Sequence, residues 1–120
     1  MVLWAGRFSK DLNEDMMNEL KDEFEYVREM VKGGMPQYQY IYGVCCMIGI
    51  YFEKDTKVGY SMLRMCCEKG NDRGEYYLGY CYDCGIGVDK DKAKGIGWAV
   101  LAAKNGNESA KELLKKWGFD

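Results

Sequence analysis

The chain has 120 residues, of which 48% are hydrophobic and 30% charged, with 17 Lys and Arg against 19 Asp and Glu. That length fits one domain, and the hydrophobic share with a single proline excludes a disordered chain. A net charge of −2 gives none of the electrostatic footprint that nucleic acid or an anionic membrane surface demands.

In chain order, the first element is an acidic hairpin over residues 9–34. Asp11 to Leu20 is its leading helix, and Phe24, Val27, Met30 and Val31 fall at the spacing of a second helix that stops at Gly33 and Gly34. A second hairpin spans 37–70, with Asp55 placed to cap its second helix and Gly70 to end it. In the third, over 73–106, a helix from Asp72 to Cys84 is stopped by Gly85 and Gly87. Asp91 then caps a helix that buries Trp98, Leu101, Ala102 and Ala103 and ends at Asn105 and Gly106. Residues 107–118 form one more helix through Ala110, Leu113 and Leu114. Its Lys115 stands where a first helix would need glycine to admit a partner, so it closes the stack with a lysine-rich face.

The last three elements share a register. Sliding the chain by 36 positions brings Tyr40 onto Tyr76, Gly43 onto Gly79, Cys45 onto Cys81, Gly49 onto Gly85, Asp55 onto Asp91, Gly59 onto Gly95, and Gly70 with Asn71 onto Gly106 with Asn107. Identities at one constant offset, falling on glycines, caps and apolar positions, mark a repeat architecture.

The series Leu78, Gly79, Tyr82, Gly85, Gly87, Val88, Asp91, Lys94, Trp98, Ala102, Ala103, Gly106 and Ala110 resembles a Sel1-like repeat, a tetratricopeptide-like helical family, position by position. The first unit follows more loosely. Cys46 replaces the tyrosine, Tyr51 the second loop glycine, Met62 the tryptophan, and Cys66 with Cys67 the alanine pair. Gly59 and Gly95 stand at the usual helix alanine, at an expected cost of about 0.5–1 kcal/mol each. The resemblance implies an all-α fold, a right-handed α-solenoid of about three helix-turn-helix repeats with a C-terminal capping helix. It implies a scaffold that binds other proteins. Residues 3–8 also resemble the opening of argininosuccinate lyase, whose catalytic segments have no counterpart in the chain.

The absence of histidine removes imidazole-activated nucleophiles and His-containing metal sites together. The six cysteines, Cys45, Cys46, Cys66, Cys67, Cys81 and Cys84, read as small apolar core residues in a reducing compartment, with Cys84 alone at a helix end. A thiol-based metal or redox protein is the competing reading. Secreted relatives carry one disulfide per repeat, but Cys66 and Cys67 have no cysteine near Gly74 to join. Asp89 to Asp91 does not continue into a calcium loop, and Gly85 to Gly87 does not continue into a dinucleotide site. No catalytic residue, metal or cofactor is assigned. The segment at the N-terminus lacks a secretory pattern and no stretch reaches the ~20 apolar residues of a membrane span, so a cytoplasmic location is expected.

What remains is surface. If Leu78 and Tyr82 face the core, Tyr76, Tyr80 and Asp83 fall on the opposite side of their helix, in register with Tyr40, Val44 and Met47. These six are the expected partner-binding face on the concave side, rich in the residue types that protein interfaces favour. The expected function is a non-enzymatic interaction module for a protein or peptide, with no nucleic acid or membrane partner and the oligomeric state left open. A small inhibitor from a phage or mobile element, blocking a larger complex, is the alternative.

Overall fold

The computed structural model describes residues 24–49 and 52–119. These residues form helices α1 (Phe24–Lys32), α2 (Pro36–Ile48), α3 (Thr56–Cys67), α4 (Asp72–Cys84), α5 (Lys92–Lys104) and α6 (Glu108–Lys116), and no strand. The expected leading helix from Asp11 to Leu20, and Tyr51 in the first loop, lie outside the described residues.

The two complete hairpins, α2 with α3 and α4 with α5, are punctuated alike. Gly49 and Gly85 end the first helices with left-handed φ of 76° and 72°, their N–H groups returning to the carbonyls of Cys45 and Cys81. The Asp55 carboxylate accepts the Val58 N–H at 3.1 Å, and Asp91 does the same for Lys94 at 3.1 Å. Asn71 and Asn107 cap α4 and α6 through the N–H groups of Gly74 and Ala110, each at 2.8 Å. All four caps repeat at the period of 36, and each satisfies an N–H that the helix itself leaves unpaired.

The hairpins close tightly because glycines face each other across them. A Cβ on Gly59 would lie 2.8 Å from the Gly43 carbonyl oxygen and 2.5 Å from Met47 Cγ. One on Gly95 would lie 3.0 Å from the Gly79 oxygen. The helix-propensity penalty expected of these glycines is therefore offset by the backbone approach they permit.

Stacking is sequential: α1 on α2, α3 on α4, α5 on α6, with α2 also reaching α4. One core runs through the stack, with Val44, Leu63, Cys66, Tyr76, Tyr77, Leu78, Cys81, Ala99, Ala102 and Ala110 all fully buried. A smaller cluster of Val27, Cys45, Cys46 and Phe52 joins α1 to the first hairpin. Each large side chain buried here contributes about 1.5–3 kcal/mol. One expectation is corrected on α5. Ala99 and Ala102 form its buried face, Trp98 is half-buried and Leu101 is 38% exposed, because small residues are what let α5 lie close to its neighbours.

Candidate functional site

Helix α4 has neighbours on three sides, and its contacts fix where each residue points. Gly74 and Tyr82 meet α3: a Cβ on Gly74 would collide with Cys66 Sγ, and the Tyr82 hydroxyl lies 2.8 Å from that of Tyr60. Asp83 meets α5, its backbone N–H and Cβ lying 3.2 and 3.3 Å from where a Gly95 Cβ would sit. Tyr77 and Cys81 meet α2: Tyr77 stacks on Tyr40 at 5.7 Å, and Cys81 Sγ lies 3.6 Å from Met47 Sδ. At 100° per residue, Tyr80 falls in a fourth direction, partly buried against the core, with Arg73 and Cys84 beside it.

That geometry corrects the expected binding face. Tyr40, Val44, Met47, Tyr76 and Asp83 are buried, at 4% exposure or less. Met47 and Asp83 fill the space that Gly59 and Gly95 leave inside their own hairpins. Tyr40 is enclosed between Tyr77 and Arg73, whose guanidinium stands 5.8 Å over its ring and donates to its hydroxyl at 3.4 Å. Of the six, Tyr80 alone is partly exposed. Burial pushes its phenol above the ordinary value, and the Cys84 and Cys81 thiols beside it add to the effect. Its register partners are Val44 and Lys116. Those of Arg73 are Gln37 and Ser109, and that of Cys84 is Ile48, which is 37% exposed.

Glu75 and Gln39, buried near the starts of α4 and α2, are tied across their own hairpins. Asn105 Nδ2 donates to both Glu75 oxygens, at 2.8 and 3.1 Å, and Asn107 Nδ2 to Asp72 at 3.0 Å. Burial raises the Glu75 carboxyl, the Asn105 hydrogen bonds oppose the rise, and Asp72 adds to it. One repeat earlier the same places hold Gln39 and Lys69, and the Lys69 ammonium donates to Gln39 Oε1 at 3.4 Å and to the Gly34 carbonyl.

None of the six cysteines is in a disulfide, and Cys45, Cys46, Cys66 and Cys81 are buried. Desolvation, with the neighbouring Cys46 thiol adding, pushes the Cys45 thiol up to about 12; desolvation, with Cys84 adding, does the same for Cys81. A hydrogen bond with Cys66, then burial, raises Cys67. Thiols held protonated are poor nucleophiles and poor metal ligands. Among the described residues no three Cys, Asp or Glu side chains converge as a metal site, and no helix there is long and apolar enough to cross a membrane.

A second surface feature escaped the sequence reading. Arg28, Val31, Lys32, Tyr42, Val58 and Met62 line a groove of about 420 Å³ between α1, α2 and α3. The signal was present in the register, since Met62 stands where the second unit has Trp98.

A family model for the Sel1 repeat matches residues 36–71 and 72–107, more than half of the chain. Among solved structures, a Sel1 repeat protein from Oxalobacter formigenes is 33% identical with a TM-score of 0.72, over 78% of this chain and 70% of that one. The protective antigen c5321 of uropathogenic Escherichia coli, which displays an SLR fold, is 28% identical with a TM-score of 0.68, over 78% of this chain and 21% of the antigen. Helicobacter pylori cysteine rich protein B, 22% identical with a TM-score of 0.70 over 78% and 71%, shares the fold. No curated protein matches significantly. With two consecutive repeats matched and the same helical stack in its neighbours, the chain belongs to the Sel1 repeat family.

Proposed function

We propose that this protein is a non-enzymatic interaction module that holds a protein or peptide partner against the side of its first helices, around Tyr80. Sel1 repeats generally serve as protein–protein interaction modules. The observation that carries the reading here is the position of Tyr80, packed against the core yet partly exposed, where its register partner Val44 is fully buried. A tyrosine held by its stack and partly exposed presents rigid amphipathic area at little entropic cost, as interface anchors do. Arg73, Ile48, Cys84 and Lys116 surround it in register, giving an apolar centre with cationic flanks.

A photo-crosslinking residue placed at position 80 tests this in the native host, with the same residue at the exposed Lys57 of α3 as control. A discrete adduct from position 80 alone, lost on Arg73→Glu, is the expected result. Identical adducts from both positions, or none from position 80, would remove the assignment.

A further inference from the structure

The groove between α1, α2 and α3 lies on the opposite side of the stack from Tyr80, among the second helices. Its origin is a difference between the two units. In the second unit Trp98, half-buried and packed on the core, occupies the place that Met62 holds in the first. Lys94 likewise answers to Val58. Methionine is slimmer than tryptophan, and with Val58 beside it the place becomes an apolar trough with Val31 and Tyr42 as its other walls. The trough continues past Tyr42 and Val58 into a second, more polar hollow of about 350 Å³ bounded by Cys46, Phe52, Glu53, Lys54 and Asp55. It is longer than one side chain needs.

Cations mark one end. The Arg28 guanidinium stands 5.2 Å over the Phe52 ring, and Phe52 meets Tyr42 edge-on at 4.6 Å. Stacking holds the guanidinium plane in place and leaves its N–H fork at the edge. Among the described residues Arg28 has no hydrogen-bond acceptor or ion-pair partner. Its register counterpart Arg64, by contrast, donates to the Tyr60 hydroxyl at 3.3 Å. Lys32, on the same rim, pairs among the described residues only with the exposed Glu29, at 3.5 Å.

We propose that this groove docks an extended peptide segment whose tryptophan-sized aromatic side chain fills the place vacated at Met62 and whose adjacent carboxylate is held by the fork of Arg28. The aromatic ring restores on the first unit the packing that Trp98 gives the second. The carboxylate meets a preoriented donor pair, the geometry in which an arginine binds it in two-point fashion. The groove's length selects a chain segment over a small acid. This site goes beyond the Tyr80 surface and shares no residue with it, so either stands without the other.

The test is a methyl NMR titration of the full chain with three peptides, acetyl-Glu-Trp-Glu-amide, acetyl-Lys-Trp-Lys-amide and acetyl-Glu-Ala-Glu-amide, and with indole acetate. The expected result is saturable shifts at Val31, Val58 and Met62 with the first peptide. It should bind about tenfold more tightly than the lysine peptide at low salt, with the alanine peptide and indole acetate weaker still. Arg28→Glu should reverse the preference for acid over base, and Met62→Trp should abolish binding by filling the trough from within. Both variants are checked for an unchanged far-UV spectrum, and the charge reversal stands alone if Met62→Trp disturbs the fold. Equal binding of the acidic and basic peptides, shifts at other methyls, a preference indifferent to Arg28→Glu, or indole acetate binding as tightly as the peptide would each overturn the proposal.

Discussion

The contact between Gly74 and Cys66 yields a quantitative expectation. A Cβ added at Gly74 would lie 2.1 Å from Cys66 Sγ, whereas non-bonded heavy atoms rest at about 3.5–4 Å. Gly74→Ala therefore drives the sulfur aside by about 1.5 Å and breaks the thiol's hydrogen bond to the Leu63 carbonyl, now 3.1 Å long. Overpacking of that kind costs about 1–3 kcal/mol, partly offset by the roughly 0.5–1 kcal/mol that alanine gains over glycine in a helix. The net loss is about 1–2 kcal/mol. Cys66→Ala alone leaves a small void worth about 1 kcal/mol. The double variant should recover most of both losses, because it installs the pair that the second unit already carries, Ala102 and Ala110, both fully buried. Urea and thermal denaturation of the four proteins measures the cycle, with Tm moving by about 4 °C per kcal/mol. Coupling of about 1–3 kcal/mol is expected between contacting residues. Effects that add within ~0.5 kcal/mol would mean that the sulfur does not occupy the space above Gly74.

Asp55→Ala and Asp91→Ala should each lose about 1 kcal/mol in urea denaturation, through loss of the N–H of Val58 or Lys94 as a partner. Gly97→Ala should add about 0.5–1 kcal/mol to stability in the same assay, since nothing lies within 4 Å of the new Cβ and the backbone is helical. In reductant, stability should fall as pH rises from about 9 towards 12. The unfolded thiols of Cys45 and Cys81 ionise near their ordinary value while the folded ones hold their protons up to about 12. The folded state then binds more protons, and each thiol removes about 1.4 kcal/mol per pH unit across that window. Cys45→Ala with Cys81→Ala should flatten the decline, which urea denaturation at pH 8, 9 and 10 resolves.

The features legible in the sequence were those set by a few consecutive residues. The stop of α4 at Gly85, the cap at Asp91 and the end of α5 before Asn105 all follow from local backbone chemistry. The exposed face was not legible, because helical periodicity separates only two sides of a helix. In the stack α4 is enclosed on three sides, so a residue opposite Leu78 is not thereby in solvent, and Tyr76 shows it. For Met47 and Asp83 a usable signal did exist: each lies 12 residues before a helix glycine, Gly59 or Gly95, and a glycine facing a neighbouring helix implies a side chain that fills its place. The trough at Met62 could be read in the same way, as a large residue missing from one of two equivalent positions.

Divergence between the two units also divides the stack energetically. Across the α4–α5 hairpin, both oxygens of the buried Glu75 carboxylate accept from Asn105, and Asn107, at the start of α6, holds Asp72 alongside. Across the α2–α3 hairpin, Lys69 serves the Gln39 carbonyl oxygen, while Gln39 Nε2 is buried without a hydrogen-bond partner among the described residues. A buried amide N–H group left unsatisfied costs about 1–3 kcal/mol. Pro36 stands where Asp72 stands in the later unit, so the second amide–carboxylate link has no counterpart there. The polar closure between the start of α2 and the end of α3 is therefore the weaker of the two. The trough around Met62 opens along that same hairpin. A groove bounded by the less firmly held helix can widen for a ligand at smaller cost than one in the middle of the stack. The loss of Trp98's counterpart and the looser polar seam therefore act in the same direction, towards an adaptable cleft at this end of the described stack.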